Sequence, residues 1–246
     1  MSRMVFTSFL ALVLLCLMLP TTALSAEPAG RVIAVGAGVK AKSADGRLRP
    51  LSRRSEVFQG DTIITGRSTV QIRFSDGSLT ALRPQTTFKI VDYQWKGKED
   101  GSERGFFSLL KGGLRTISGA IGKRNRKNYQ MKTPAATIGI RGTSYFLQLL
   151  KNLQLKGGVT QGRIYVWNKA GGRFFKKGQH FFVKSWKFKP IPWSGKKTAK
   201  GKPGPQNFGN NGFTPPHNTD PLVQPSYTTS GPQTGGGGYG FTYTPP

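Results

Sequence analysis

The chain is short of the residues that do chemistry. It has one cysteine, Cys16, two histidines, His180 and His217, and ten acidic side chains against 37 Lys and Arg in 246 residues. A single cysteine excludes a disulfide framework and a cysteine-built metal site. His217 falls in a Pro/Gly-rich stretch, and His180, between Gln179 and Phe181, reads as a strand residue rather than a base. The one acidic cluster, Glu99-Asp100-Gly101 with Glu103, is a surface turn by composition and lacks the spaced oxygens of a calcium loop. No Gly-x-Ser-x-Gly elbow occurs, and no Gly-Lys pair is followed by Ser or Thr as a phosphate loop requires. Ser194-Gly195-Lys196-Lys197 matches Ser-x-x-Lys in form only, with no framework to hold it. The expectation is a protein without catalytic residues, metal or cofactor.

Long apolar runs are equally scarce, with one exception. Arg3 precedes fifteen uncharged, mostly apolar residues from Val5 to Leu19; Pro20 ends the run and small residues follow to Ala26. Basic start, apolar middle and small-residue end predict a secretory signal peptide over residues 1–26, cleaved after Ala26. The alternative, a retained membrane anchor over 4–26, is disfavoured by Pro20, Thr21, Thr22 and Ser25. Val13-Leu14-Leu15 before Cys16 lacks the small residue that lipoprotein processing needs. Cleavage removes the only cysteine and takes the formal charge from +27 to +26. The expected location is the periplasm or the medium, as a monomer.

A charge of that size draws anionic polymers and surfaces. Behind a signal peptide, an envelope protein, an acidic envelope polymer or membrane headgroups are the available partners, and specific nucleic-acid binding is not expected. Two basic stretches are candidate contacts. Residues 122–128, with Lys123, Arg124, Arg126 and Lys127, read as a solvated hairpin tip. Residues 174–190 interleave Phe182, Trp186 and Phe188 with Lys184, Lys187 and Lys189, which suits a half-buried edge strand and also a cation–aromatic contact.

Glycine is abundant, and it punctuates short alternating runs. In 69–74, Val70, Ile72 and Phe74 alternate with Gln71 and Arg73, and Asp76-Gly77 supplies a tight-hairpin turn. In 87–95, Phe88 and Ile90 oppose Lys89, Val91 and Tyr93; in 162–168, Ile164 and Val166 oppose Tyr165 and Trp167. Residues 105–114 have room for a helical turn that Gly112-Gly113 cuts short. These patterns predict an all-β domain over 27–189, as a sandwich, a barrel or a short solenoid. Residues 190–246 hold 11 Pro and 11 Gly in 57 and predict a disordered tail.

The most specified stretch is Thr133-Pro134-Ala135-Ala136-Thr137-Ile138-Gly139-Ile140-Arg141-Gly142-Thr143. Pro134 fixes its own φ and holds Thr133 extended. The small residues let another backbone approach, and the glycines allow a bend. Arg141 is placed to lock that corner through carbonyls or a carboxylate, with Asp61 and Asp76 as candidate partners, or to be an exposed contact.

At these positions the chain resembles the FecR domain family, whose signature is matched by Thr133, Pro134, Ala136, Gly139, Ile140, Arg141, Gly142 and Thr143. Gly60-Asp61 in 58–66, Asp76-Gly77 in 72–82, the Lys-Gly-Gly-x-Arg run in 109–119 and the strands at 159–168 and 176–183 extend the resemblance over about residues 30–184. The family includes iron-uptake regulators that couple an outer-membrane receptor to a cytoplasmic sigma factor through a helical domain preceding a transmembrane helix. Only three residues precede the apolar run here, so the resemblance implies a stand-alone envelope module that binds and senses through protein contacts. The alternative is a binder of acidic envelope polysaccharide or glycolipid.

Overall fold

A computed structural model describes residues 27–97, 101–124 and 126–194. Residues 1–26, read above as a signal peptide, Glu99, Asp100 and residues 195–246 of the expected tail lie outside them. In chain order the first strands are β1 (Gly30–Val35), β2 (Lys40–Lys42), β3 (Leu48–Pro50), β4 (Glu56–Val57), β5 (Thr62–Ile64), β6 (Val70–Phe74), β7 (Leu79–Leu82), β8 (Thr87–Gln94), β9 (Arg104–Lys111) and β10 (Gly113–Ile117). A short helix α1 (Ala120–Arg124) and a 3₁₀ turn (Arg126–Asn128) lead to β11 (Tyr129–Lys132), β12 (Thr137–Leu149), β13 (Leu155–Asn168), β14 (Gly171–Lys176), β15 (His180–Val183) and β16 (Ile191–Pro192). All sixteen join one continuous sheet, curled as a half-barrel. β16 pairs with β15, so ordered structure continues past the boundary expected at residue 189.

The two longest strands organise everything else. The first half of β12 pairs with β11, through Lys132–Thr137 and Met131–Ile138; its second half pairs with β10, from Ser144 to Gln148. β13 runs beside the whole of β12 and divides at the same level, taking β14 on one half and β15 on the other. One half-sheet is therefore β3-β2-β5-β8-β9-β11 with the first half of β12, and the other is β4-β1-β6-β7-β10 with the second half. The register slips between Arg141 and Tyr145, and Gly142 (φ 56°) and Gly162 (φ 74°) both take the left-handed conformation there. They are packed so closely that a Cβ on Gly162 would collide with the Gly142 carbonyl. The quoted motif is thus the corner at which both strands pass from one half-sheet to the other.

The corner is tied to a second turn. Thr143 N–H donates to Ser118 Oγ at 2.8 Å, and Ser118 N–H donates back to the Thr143 carbonyl at 3.0 Å. Thr143 Oγ1 accepts from Arg141 N–H and donates to the Arg163 carbonyl. Two residues past Ser118, Ala120 N–H donates to the Asp76 carbonyl in the β6–β7 hairpin. Asp76 Oδ1 in turn accepts from Ser78 N–H, Ser78 Oγ and the Tyr93 hydroxyl. Gly77 makes that hairpin turn at φ 79°, as the Asp-Gly pair predicts.

Between the half-sheets lies an aromatic core. Phe107 of β9 packs on Phe74 of β6 and on Phe88, Tyr93 and Tyr129, with centroids 5.1–6.1 Å apart. Each such ring takes roughly 150–250 Å² out of water. Tyr129 and Tyr145 bridge the halves through a 2.8 Å hydroxyl–hydroxyl bond. Burial pushes both phenols well above their ordinary range, so they stand there as neutral hydrogen-bonding groups.

Three expectations about local structure are corrected. Tyr93 lies on the buried face with Phe88 and Ile90, because a bulge at Val91 inserts one residue and shifts the alternation. Residues 104–111 are a strand, not a helical turn: Phe107 and Leu109 alternate into the core and Gly112 (φ 82°) turns the chain after Lys111. Residues 122–128 are no hairpin tip. β11 pairs parallel with β9, a pairing that requires a crossover, and α1 with the 3₁₀ turn supplies its last part.

Gly77 and Gly162 share a left-handed φ, but an added Cβ meets nothing within 4 Å at Gly77 and backbone at Gly162. Gly77→Ala should cost about 1 kcal/mol, the backbone strain alone, and Gly162→Ala at least twice that. Urea unfolding of the two variants checks this; equal costs would show that the corner gives way freely.

Candidate functional site

Strand alternation decides what β12, β13 and β14 show to solvent. Ile164 and Val166 point into the core, so Arg163, Tyr165 and Trp167 point out. Opposite them on β12 stand Arg141 and Gly139, facing Arg163 and Tyr165; on β14 stand Lys176, Phe174 and Gly172, facing Arg163, Tyr165 and Trp167. The two glycines leave room for the rings. A Cβ on Gly139 would press on Trp167 at 3.2 Å, and one on Gly172 would collide with the Tyr165 hydroxyl. Tyr165 accordingly stacks on Trp167 at 5.5 Å and packs on Phe174 at 4.6 Å, with Phe174 57% exposed.

Cations crown this platform. The Arg163 guanidinium lies 5.2 Å from the Phe174 ring, and with Arg141 and Lys127 from the 3₁₀ turn it lines a groove of about 480 Å³ that includes all three rings. Arg141, Arg163 and Lys176 are direct cross-strand neighbours, and all three are exposed. Like charges in that position destabilise a sheet. Among the described residues the ion-paired carboxylates are engaged elsewhere: Asp61 with Arg49, Glu56 with Arg31, Asp45 with Arg47 and Asp92 with Arg104.

This placement corrects the corner-lock expectation for Arg141. Asp61 is buried and takes Arg49 at 3.0 and 2.5 Å, while its Oδ2 also accepts Phe58 N–H and so fixes the turn containing Gly60 (φ 88°). Asp76 is occupied in its own hairpin. Gly142, Gly162 and Thr143 make the corner, and Arg141, one position after inward-facing Ile140, turns outward into the groove.

A second cavity, of about 560 Å³, shares Trp167 with the groove and opens beside the Thr133–Ala136 turn, Lys169 and Trp186. Thr133 Oγ1 closes that turn, donating to the Ala136 carbonyl at 2.8 Å and accepting Ala136 N–H at 3.0 Å; Pro134 sits within it. Asn168 Nδ2 donates to the carbonyls of Ala135, Ser185 and Phe188, holding the 185–188 turn against the motif. The edge strand expected over 174–190 therefore divides into β14, β15 and this turn. Trp186 and Phe188 are half exposed, with Lys169 and Lys187 near the Trp186 ring and Lys184 near Phe188, at 4.9–5.3 Å. Lys189 is exposed beside them. Lys123 and Lys127 are exposed on the crossover; the side chains of Arg124 and Arg126 lie outside the described residues.

Of the residues expected at a site, Arg141, Gly139 and Lys127 meet in the groove, and Thr133, Pro134, Ala136 and Trp186 meet at the second cavity. Arg163, Tyr165, Trp167, Phe174 and Lys176 were not anticipated. Their signal was the outward set Arg-x-Tyr-x-Trp facing Gly-x-Phe-x-Lys, aromatic residues on the face where solvent is expected. The chemistry these rings and guanidinium groups offer is stacking, cation–π contact and anion pairing. Among the described residues no three His, Cys, Asp or Glu side chains gather as a metal site needs, and no helix is long and apolar enough to cross a membrane.

The model of the FecR protein family matches residues 61–172, from Asp61 of the first turn to Gly172 of the groove. Two crystal structures of a candidate anti-sigma factor from Parabacteroides distasonis ATCC 8503 are similar at 14% and 13% identity, with TM-scores of 0.43 and 0.41. Each comparison covers 53% of this chain and 57% of the other, so the chain spans a little over half the length of those structures. No curated protein matches the sequence.

Arg141→Ala should leave the unfolding free energy within about 0.5 kcal/mol of the parent, as for an exposed side chain. Urea unfolding monitored by tryptophan fluorescence reads this, and a loss well beyond that range would return Arg141 to the role of corner lock.

Proposed function

We propose that this chain, whose residues 61–172 are a FecR domain, is a non-enzymatic binding and sensing module exported to the bacterial envelope, and that it recognises an anionic ligand in the groove of β12, β13 and β14. The observation that carries this reading is the pairing of an exposed aromatic platform, Tyr165, Trp167 and Phe174, with Arg141 and Arg163 at its rim. Stacked rings with unneutralised cations suit a ligand that has flat apolar faces and carboxylates.

Sequence reasoning put protein contacts first and an acidic envelope polymer second. The groove favours the polymer. Arg141, Arg163 and Lys176 meet here as cross-strand neighbours without a described carboxylate, and such a cluster of one sign draws an anionic chain. Export rests on the apolar run before Ala26 and on the absence of cysteine from the rest of the chain.

The purified chain, immobilised and exposed to an envelope extract, should retain acidic polysaccharide that elutes as salt rises. The Arg141→Ala/Arg163→Ala/Trp167→Ala variant should retain little. A discrete protein that survives the high-salt wash and is held equally by the variant would overturn the polymer reading and restore protein contacts.

A further inference from the structure

The groove is the end of a longer feature. A single cross-strand row runs through Leu48, Lys42, Thr62, Lys89, Ser108, Lys132, Thr137 and Trp167, each residue directly paired with the next across neighbouring strands. All of these side chains lie on the outer face: Lys42, Lys89 and Lys132 are exposed, and Thr62, Ser108 and Thr137 are half-buried between them. The order is regular. Lysine recurs on every second strand, a hydroxyl stands on each strand between, and one further two-strand step from Lys132 reaches Trp167. With strands about 4.8 Å apart, the cations repeat every ~9.6 Å and the row from Lys42 to Trp167 spans about 29 Å at the backbone.

Among the described residues nothing accounts for this row. None of the three lysines is in an ion pair among the described residues. The hydroxyls of Thr62, Ser108 and Thr137 likewise make no hydrogen bond to another described residue. Lysines on a solvated face have no reason to keep to one line, and this line runs into the stacked rings of Tyr165 and Trp167.

We propose that the row is the track of a linear acidic polysaccharide, laid across the strands with one end stacked on Trp167 and Tyr165. This rests on the anionic-ligand reading of the groove and names its ligand class. The repeat selects the polymer. An extended disaccharide unit has about the two-strand length, so a glycan with one uronate per disaccharide presents a carboxylate to each lysine and ring hydroxyls to the Ser and Thr between. Polyphosphate and nucleic acids carry their charges more densely than the row can match.

The test titrates the purified chain with hyaluronan oligosaccharides, in which uronate and neutral sugar strictly alternate, and follows tryptophan fluorescence. Affinity should rise with length to about the octasaccharide, which covers the 29 Å row, and then level off. Lys89→Gln and Lys132→Gln should each weaken octasaccharide binding roughly two- to fivefold, the size of an exposed charge contact, and leave disaccharide binding unchanged. Trp167→Ala should weaken both. If Trp167→Ala weakens binding while length and the two lysines have no effect, the track is wrong and the groove stands. If poly-glutamate or polyphosphate binds as tightly as the octasaccharide and Trp167→Ala changes nothing, the charge is non-specific and both readings fall.

Discussion

Gly142 and Gly162 sit against each other at the level where β12 and β13 leave one half-sheet for the other; both take the left-handed conformation, and a Cβ on Gly162 would run into the Gly142 backbone. Every other feature depends on that contact. β12 and β13 have 13 and 14 residues, more than one half-sheet can use, and only a bend shared by both lets them stay paired while serving two sets of neighbours. A bend in one alone would break the ladder between them. The conformational strain is confined to two residues without side chains, and the hydrogen bonds displaced by the register slip are recovered through Thr143 and Ser118.

The same corner sets the surface. Because β12 and β13 turn together, Arg141 and Arg163 end the straight part of the first half-sheet side by side, with Tyr165 and Trp167 following along β13. The inward partners, Ile140, Ile164 and Val166, carry the burial that holds the strands in place, which leaves the outward positions free to hold unneutralised cations. The exposed like-charge row works against the sheet only weakly in water, so the aromatic core beneath it easily sustains it. Binding an acidic polymer on this face would leave the core undisturbed.

Much of this was legible in the residues. The alternation of Val70, Ile72 and Phe74, the Asp76-Gly77 hairpin and the inward Ile164 and Val166 are local patterns, and local patterns fix strands. The small residues of the motif announced a bend, and a bend is what they make. Other features needed pairing information that one sequence does not hold. Val91 looks like any strand residue until β9 is beside it, and only then does it become a bulge that turns Tyr93 inward. Arg141 was read against Asp61 and Asp76 because both stand beside glycine turns, but Arg49 and Ser78 had already filled them. The lysine row was the least visible, since Lys42, Lys89 and Lys132 are 47 and 43 positions apart in sequence and align only through registers across five strands.

The central claim is that the shared corner makes two half-sheets one cooperative structure. Native-state hydrogen exchange in low urea tests it most directly, through the slowest amides of Phe88 and Phe107 in one half and Ile72 and Leu114 in the other. The account predicts that all four converge on a single free energy of opening, equal to that of global unfolding. Two separate limits, one for each half-sheet, would contradict it and reduce the corner to a linker.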